Sequence, residues 1–430
     1  AIAYLDERGK LVIRSSTQVP FHCRRIISRL LDIPLSQIRV IKPRIGGGFG
    51  AKQEVLIEDL VALATLRTKR PARLELSREE EFVASRTMHP MQVRVRLGAN
   101  KEGKLTALDM EVLSNTGAYG THGPTVFFNA GSKTLPLYNK ADNVHFGGYV
   151  VYTNLPVAGA YRGYGAPEGY FALECAMDEL AKKMGMDPLV LRQKNHIRPK
   201  ESSPIFQKLG EGKEGVPQIV ESCGLEECIE KGKALFEWER KRSLPREIAP
   251  GIYRGYGMSI MMQGSAIPLV DMASAIIKMN EDGSFLLLVG ATDLGTGSDT
   301  ILAQIAAEEL GVPVEKVTVY SSDTDFTPFD KGAYASSTTY LSGEAVRKAA
   351  QKVKDQILEF ASLLLQTSNR LTLKDGLVED AKTGRALSLE EIGYRSFYSE
   401  EQRQIQATAS HVSDVSPPPF AAHFVEIEVD

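Results

Sequence analysis

An α+β fold, with two or more domains and mixed sheets packed by helices, is what this sequence predicts. Three observations point to it. The chain has 430 residues and is 43% hydrophobic, enough for a large core and more than one domain. Runs with two-residue alternation stand next to runs with 3.6-residue periodicity, so strands and helices are interspersed along the chain. Glycine loops fall where a strand-like run gives way to a helix-like one, most clearly at 46–50 and 290–297.

Taken in order, residues 19–32 read as a helix and 38–41 as a strand leading into the first glycine loop. A second helix is expected over 50–66, with Val55, Leu56, Leu60, Val61 and Ala64 on one face. Alternation at 72–76, 92–97 and 105–114 predicts strands, the last two an antiparallel pair joined through Asn100-Lys101-Glu102-Gly103. A helix over 168–184 stops at Gly185, and another runs over 225–242 with the only tryptophan, Trp238. The polar, proline-containing stretch 241–251 is the best place for a domain boundary. Beyond it come a hairpin over 273–278 and 284–289, a helix ending at Glu309, a strand at 317–320 and a long helix over 343–365. The pentapeptide Tyr-Arg-Gly-Tyr-Gly occurs at 161–165 and 253–257, and the second copy leads into a strand, so the two are a coincidence and not a repeat.

Composition narrows the function classes. A net charge of −3 argues against nucleic acid as the main partner. No apolar run approaches the ~18 residues of a membrane span, and no signal peptide opens the chain. Cys23, Cys175, Cys223 and Cys228 are too few and too irregular for a disulfide framework or an iron–sulfur run. A reducing, cytoplasmic setting is the simplest reading.

Chemistry concentrates in Lys42-Pro43-Arg44-Ile45-Gly46-Gly47-Gly48-Phe49-Gly50-Ala51-Lys52-Gln53-Glu54. A loop without Cβ atoms can adopt positive φ and bring an anionic ligand onto its N–H groups, and a following helix start adds partial positive charge. Phe49 can press on a flat ligand. The segment also fits G-x-G-x-x-A, the dinucleotide fingerprint, with Glu75 as the acid further on. A tight turn without any ligand is the bland alternative, and a P-loop is excluded because no Gly-Lys-Ser/Thr follows. Two other groups invite a metal reading and are better explained otherwise: His89 as a hydrogen-bonded structural histidine, and Asp323, Asp325 and Asp330 as a solvated acidic loop.

Around that loop stands an ordered set of motifs. Ser16-Thr17-Gln18 precedes it; Thr153-Asn154-Leu155-Pro156 and Ala160-Tyr161-Arg162-Gly163-Tyr164-Gly165-Ala166-Pro167-Glu168-Gly169 follow; Gly290-Ala291-Thr292-Asp293-Leu294-Gly295-Thr296-Gly297 and Ala333-Tyr334-Ala335-Ser336-Ser337 come last. Together they resemble the molybdopterin-binding subunit of the molybdenum hydroxylases, the xanthine dehydrogenase and aldehyde oxidase family, with bacterial xanthine dehydrogenase-like members most similar. The resemblance covers essentially the whole chain. It implies a first molybdopterin-binding domain at 1–245, incomplete at its N-terminus, and a second at 246–430, incomplete at its C-terminus, with the cofactor cleft between them.

By the same resemblance, Gln18, Gly48, Phe49, Gly50, Arg162, Gly295, Thr296, Gly297 and Ala335 are the cofactor-binding residues. Molybdenum is held by the pterin dithiolene and not by side chains. Thr296 stands where many relatives have glutamine. Gln53, Asn129, Tyr164, Ile260 and Met261 are the substrate-side residues. Gln53 replaces a glutamate and Asn129 an arginine of the animal purine-oxidising members, leaving Lys133 the only cation in 126–134. The family's general-base glutamate sits in a Gly-Glu-Pro-Pro setting absent from this sequence, so no catalytic residue is expected in this chain. Iron–sulfur centres and FAD belong to partner chains or other parts of an oligomeric complex. The start at Ala1 and the strand-like ending through Asp430 suggest the central portion of a longer subunit, inactive alone. The expected reaction is hydroxylation of a purine or related N-heterocycle with water as oxygen source. Oxidation of aldehydes or other aromatics on the same scaffold, and a folded fragment without cofactor, are the alternatives.

Overall fold

Strict alternation of buried residues makes Phe285–Val289 a half-buried strand, and its register pairs it antiparallel with Met272–Met279, which alternates only from Ala275 onward. The computed structural model describes all 430 residues, which fall into two compact units. The first comprises residues 1–82 and 266–414, the second 83–265 and 415–430.

The first unit holds two mixed sheets with the same local plan. In one, Leu11–Arg14 leads through the helix Pro20–Leu31 into the parallel strand Ile38–Ile41, while Ile2–Leu5 and Ala72–Arg73 complete the order. In the other, Phe285–Val289 leads through Ser298–Leu310 into the parallel strand Val317–Ser321, with Met272–Met279 and Gln406–Val412 on the far side. The amphipathic helix Gly343–Leu365 lays Val346, Val353, Ile357 and Phe360 onto the second sheet's core, all fully buried. A third, small sheet is formed by Leu371–Lys374, Leu377–Asp380 and Arg385–Ser388. Lys42 N–H bonds Ser322 O at 3.0 Å and Thr324 N–H bonds Val40 O at 3.1 Å, joining the carboxyl ends of the two parallel strands.

In the second unit, Met91–Ala99, Leu105–Asn115 and Asn143–Val151 form one sheet, and Phe420–Val429, Ile252–Met262 and Glu247–Ala249 another. The helix Ala166–Met184 is tied to the second by Glu174, whose carboxylate accepts from Ile260 N–H at 3.0 Å and from the fully buried Arg192 at 2.7 Å.

Several expected elements are redrawn. The helix expected over 50–66 starts at Glu58, because the Glu58 carboxylate accepts the N–H groups of Leu56 and Ile57 and fixes the turn there. The strand expected at 72–76 is only Ala72–Arg73. The helix over 225–242 breaks at Glu237, whose φ of 57° ends Leu225–Phe236 before Trp238–Arg242 begins. The linker expected at 241–251 and the division at 245/246 both fall inside the second unit. There Trp238 and Phe236 pack on Phe424, and Glu247–Ala249 joins the sheet. The two Tyr-Arg-Gly-Tyr-Gly copies differ as expected: one is a loop, the other lies in Ile252–Met262.

Candidate functional site

The loops that the sequence singles out leave the carboxyl ends of parallel strands, where open sheets gather ligand-binding residues. Within the first unit the two glycine loops touch: Gly47 N–H donates to Leu294 O at 2.7 Å. Gln18, 2% exposed, stitches a third segment to them. Its Oε1 accepts from Gly50 N–H at 2.8 Å and its Nε2 donates to Ala333 O at 2.6 Å. A Cβ on Gly48 would stand 2.6 Å from Gln18 Oε1, so glycine is what lets that amide reach the loop. Gln18, Gly48, Phe49, Gly50, Gly295, Thr296, Gly297 and Ala335 therefore belong to one constellation, with Gln53 on its edge through Gln53 N–H to Gly50 O at 3.0 Å.

Backbone strain is concentrated in the same place. Phe49, Ala335 and Ser336 all have φ between 50° and 53°, a left-handed conformation that side chains resist by roughly 1–2 kcal/mol each. The Phe49 ring, 62% exposed, lies over Gly47, where an added Cβ would meet it at 2.5 Å.

Asp293 organises the second loop. Its carboxylate accepts from the N–H groups of Gly295 at 2.8 Å, Gly297 at 3.3 Å and Asp299 at 3.1 Å. Burial opposes its ionisation, but those N–H groups and Lys42 hold its pKa below the ordinary aspartate value. Next to it, at the start of Ser298–Leu310, the Ser298 hydroxyl is buried without a protein partner. Lys42, its side chain 10% exposed, stands 3.6 Å from Asp299. An orphaned hydroxyl and a nearly buried cation beside a helix N-terminus fit an anionic, hydrogen-bonding ligand such as a pterin phosphate. Sequence reasoning did not single out Asp293 or Ser298, although an aspartate two residues before a glycine is a turn signal.

The other expected residues lie in the second unit. Arg162 is exposed, in the loop before Ala166–Met184. Gly163, Tyr164 and Gly165 follow it with φ of 91°, 53° and 93°. The Tyr164 hydroxyl is held by Thr125 Oγ1 at 2.6 Å and His122 Nδ1 at 2.5 Å, neither anticipated from sequence. Asn129 is 3% exposed and bonded to Ser132 and Glu211. Strand alternation separates Ile260 from Met261: the first is wholly buried in the core and the second is 36% exposed on the opposite face.

Two side expectations are corrected. His89 is 2% exposed, yet neither ring nitrogen has a protein partner, and burial with nearby His122 lowers its pKa to about 4. The acids at 323–330 are not a solvated loop. Asp323 is fully buried against Arg39, Asp325 pairs with Lys10 at 2.5 Å, and Asp330 is buried against Ser342. No group of three or more His, Cys, Asp or Glu is placed to hold a metal ion.

Comparison with known proteins gives these loops a family. The profile described as "Molybdopterin cofactor-binding domain" matches residues 1–196, and a second with the same description matches 231–430. The chain is 39% identical to the xanthine dehydrogenase molybdenum-binding subunit of Escherichia coli O157:H7, over 100% of this chain and 57% of that protein. It is 30% identical to the aldehyde oxidoreductase molybdenum-binding subunit PaoC of Escherichia coli K12, over 98% of this chain and 54% of the relative. Quinoline 2-oxidoreductase from Pseudomonas putida 86 superposes with a TM-score of 0.89 at 25% identity, covering 100% of this chain and 56% of that one. The chain thus spans little more than half the length of the relatives it matches. No helix is long and apolar enough to cross a membrane.

Proposed function

Because the chain belongs to the molybdopterin-binding family of the molybdenum hydroxylases, we propose that it forms the cofactor and substrate walls of a xanthine dehydrogenase-like enzyme. The reaction is hydroxylation of a purine or related N-heterocycle, with the oxygen from water and with iron–sulfur and flavin partners carrying the electrons away. The observation that carries this reading is the three-way junction of the glycine loops, in which Gly47 meets Leu294 while Gln18 bonds Gly50 and Ala333. A junction so densely tied, with three left-handed non-glycine residues, is preorganised at the expense of stability, as binding sites are.

When bound, the molybdenum cofactor supplies the redox chemistry, taking two electrons as a substrate C–H bond and water become C–OH and two protons. The chain's own residues do the holding. Lys42, the Ser298 hydroxyl and the loop 295–297 take the anionic end; Gly48, Phe49 and Gly50 cover a flat face; Gln18 keeps the loops in register; Ala335 leaves room. Gln53 offers an amide that both donates and accepts to a heterocycle. Tyr164 presents an aromatic ring fixed at its hydroxyl, and Arg162 anchors its loop.

The test is turnover by the molybdenum-loaded full-length complex with hypoxanthine, xanthine, nicotinate and an aromatic aldehyde. Preference for the heterocycles supports the proposal; turnover of the aldehyde alone favours the second reading, which draws on the likeness to an aldehyde oxidoreductase subunit. Gln53→Ala should lower kcat/KM for the heterocycle about two- to tenfold with molybdenum content unchanged, the worth of one uncharged hydrogen bond.

A further inference from the structure

One buried carboxylate of the first unit stands between the segments of the three-way junction. Asp330 is 6% exposed; its backbone bridges Ala273, and the next residue, Lys331, donates its N–H to Met272 O at 3.2 Å. On one side it packs on Gly290, which opens the second glycine loop: a Cβ added there would stand 2.6 Å from Asp330 Cβ. On the other, Asp330 Oδ1 accepts from Gly332 N–H at 2.8 Å, and Oδ2 accepts from the Ser342 hydroxyl at 2.9 Å.

Gly332 passes that hold onwards. Its φ of 130° and a Cβ position only 2.4 Å from Val19 Cγ1 require glycine, and they press the loop against residues 18–19. Ala333 is then bonded to Gln18 twice, by Ala333 N–H to Gln18 O at 3.0 Å and by Gln18 Nε2 to Ala333 O at 2.6 Å. A side-chain amide can turn over and exchange its donor and acceptor ends. The Ala333 carbonyl decides which end is Nε2, and so leaves Oε1 to accept from Gly50 N–H at 2.8 Å. Asp330 therefore reaches the first glycine loop through three hydrogen bonds and the Gly332–Ala333 linkage.

An exposed aspartate makes the same short turn without the desolvation cost of a buried one. What burial adds is a fixed point: with both oxygens bonded and Cβ against Gly290, the carboxylate has little freedom to rotate. Resting on the reading of this junction as the cofactor site, we infer that Asp330 is a positioning residue. It holds the Ala333 carbonyl, and through it the orientation of the Gln18 amide. It acts through Gly332 and Gln18, not on cofactor or substrate.

The experiment compares the molybdenum-loaded full-length complex with its Asp330→Ala, Asp330→Asn and Ser342→Ala variants. Amide hydrogen exchange at Gly50 and Ala333, molybdenum content, Tm and hypoxanthine kinetics are measured for each. Val353→Ala, a core truncation in Gly343–Leu365 outside this hydrogen-bond route, is the control for lost stability alone. Asp330→Ala should speed exchange at both amides about tenfold or more and lower kcat about tenfold, with KM within about twofold. Ser342→Ala should act in the same direction by a smaller factor. Asparagine keeps an oxygen for the Gly332 N–H, so Asp330→Asn should recover most of the loss. Val353→Ala should lower Tm while Gly50 exchange and kcat stay close to wild type. Gly50 exchange unaltered in both Asp330→Ala and Ser342→Ala, or raised as much by Val353→Ala, would overturn the inference and leave the hydroxylase reading intact. A wild-type complex that turns over no heterocycle would overturn the hydroxylase reading, and the exchange data decide the positioning role without turnover.

Discussion

Asp330 shows how single residues are used at the loops of the first unit. It is buried between the bridge to Ala273 and the Ser342 hydroxyl. Burial raises its pKa to about 6, against the Gly332 N–H and Ser342 hydroxyl that favour the charged form, with nearby Asp271 adding to the rise. Between its ordinary 3.8 and about 6, the folded chain binds a proton that the unfolded chain does not. The stabilisation is therefore present at low pH and lost as pH climbs towards 6. Denaturant titrations should show wild type gaining on Asp330→Asn by up to about 3 kcal/mol as pH falls from 7 to 4. Parallel profiles for the two proteins would sink this assignment. His89 works in the opposite sense: its pKa near 4 means that its contribution disappears as pH falls from about 6.5.

At the level of elements, the break at Glu237 is a conformational cost in an exposed position. Its side chain makes a surface ion pair with Arg240, a contact of small value, while its φ of 57° suits glycine. Glu237→Gly should raise unfolding stability by about 0.5–1 kcal/mol, read as a higher Tm; a lower Tm would mean that the ion pair outweighs the strain. Elements with strong periodicity and clean caps could be read from sequence: the helix Gly343–Leu365 matches its expected span, and Ala166–Met184 ends at Gly185 as expected. Gly123–Ser132 could not, because two glycines, a proline and few polar residues give it no amphipathic signal; seven of its ten residues are buried, and packing holds the helix. Asn143–Val151 carries Gly147 and Gly148 in mid-strand, which reads as a turn until its parallel partner Leu105–Asn115 is known. The site divides similarly. The glycine loops are visible because local backbone demands leave local residue signatures. Thr125, His122 and Glu211 come to Tyr164 and Asn129 by tertiary contact, and such contacts leave no local pattern.

For the molecule as a whole, the second unit depends on a strand supplied from 150 residues away in sequence. Phe420–Val429 pairs with Ile252–Met262, and Phe424 packs 5.6 Å from the rings of both Phe236 and Trp238. Trp238 is the only tryptophan and is 2% exposed, so its fluorescence reports on that one contact. Removing residues 415–430 should shift its emission to the red and open it to iodide quenching. A spectrum identical to that of the intact chain would show that the strand is dispensable to this core.

The interleaving of the two units has a consequence for the timing of synthesis. Residues 1–82 carry the first glycine loop, and residues 266–414 carry the loop it bonds to; 183 residues of the other unit come between them. At translation rates of roughly 5–20 residues per second, the first loop leaves the ribosome about 12–50 seconds before its partner at Leu294 exists. During that wait, Gln18 has no Ala333 carbonyl and Arg39 no Asp323 carboxylate to meet. The nascent chain should therefore complete this junction last, after the segment 83–265 has been made. Ribosome-stalled chains ending before residue 290 should leave the Gly47 amide, which bonds Leu294 O, open to rapid hydrogen exchange, and protection already present there would contradict this order.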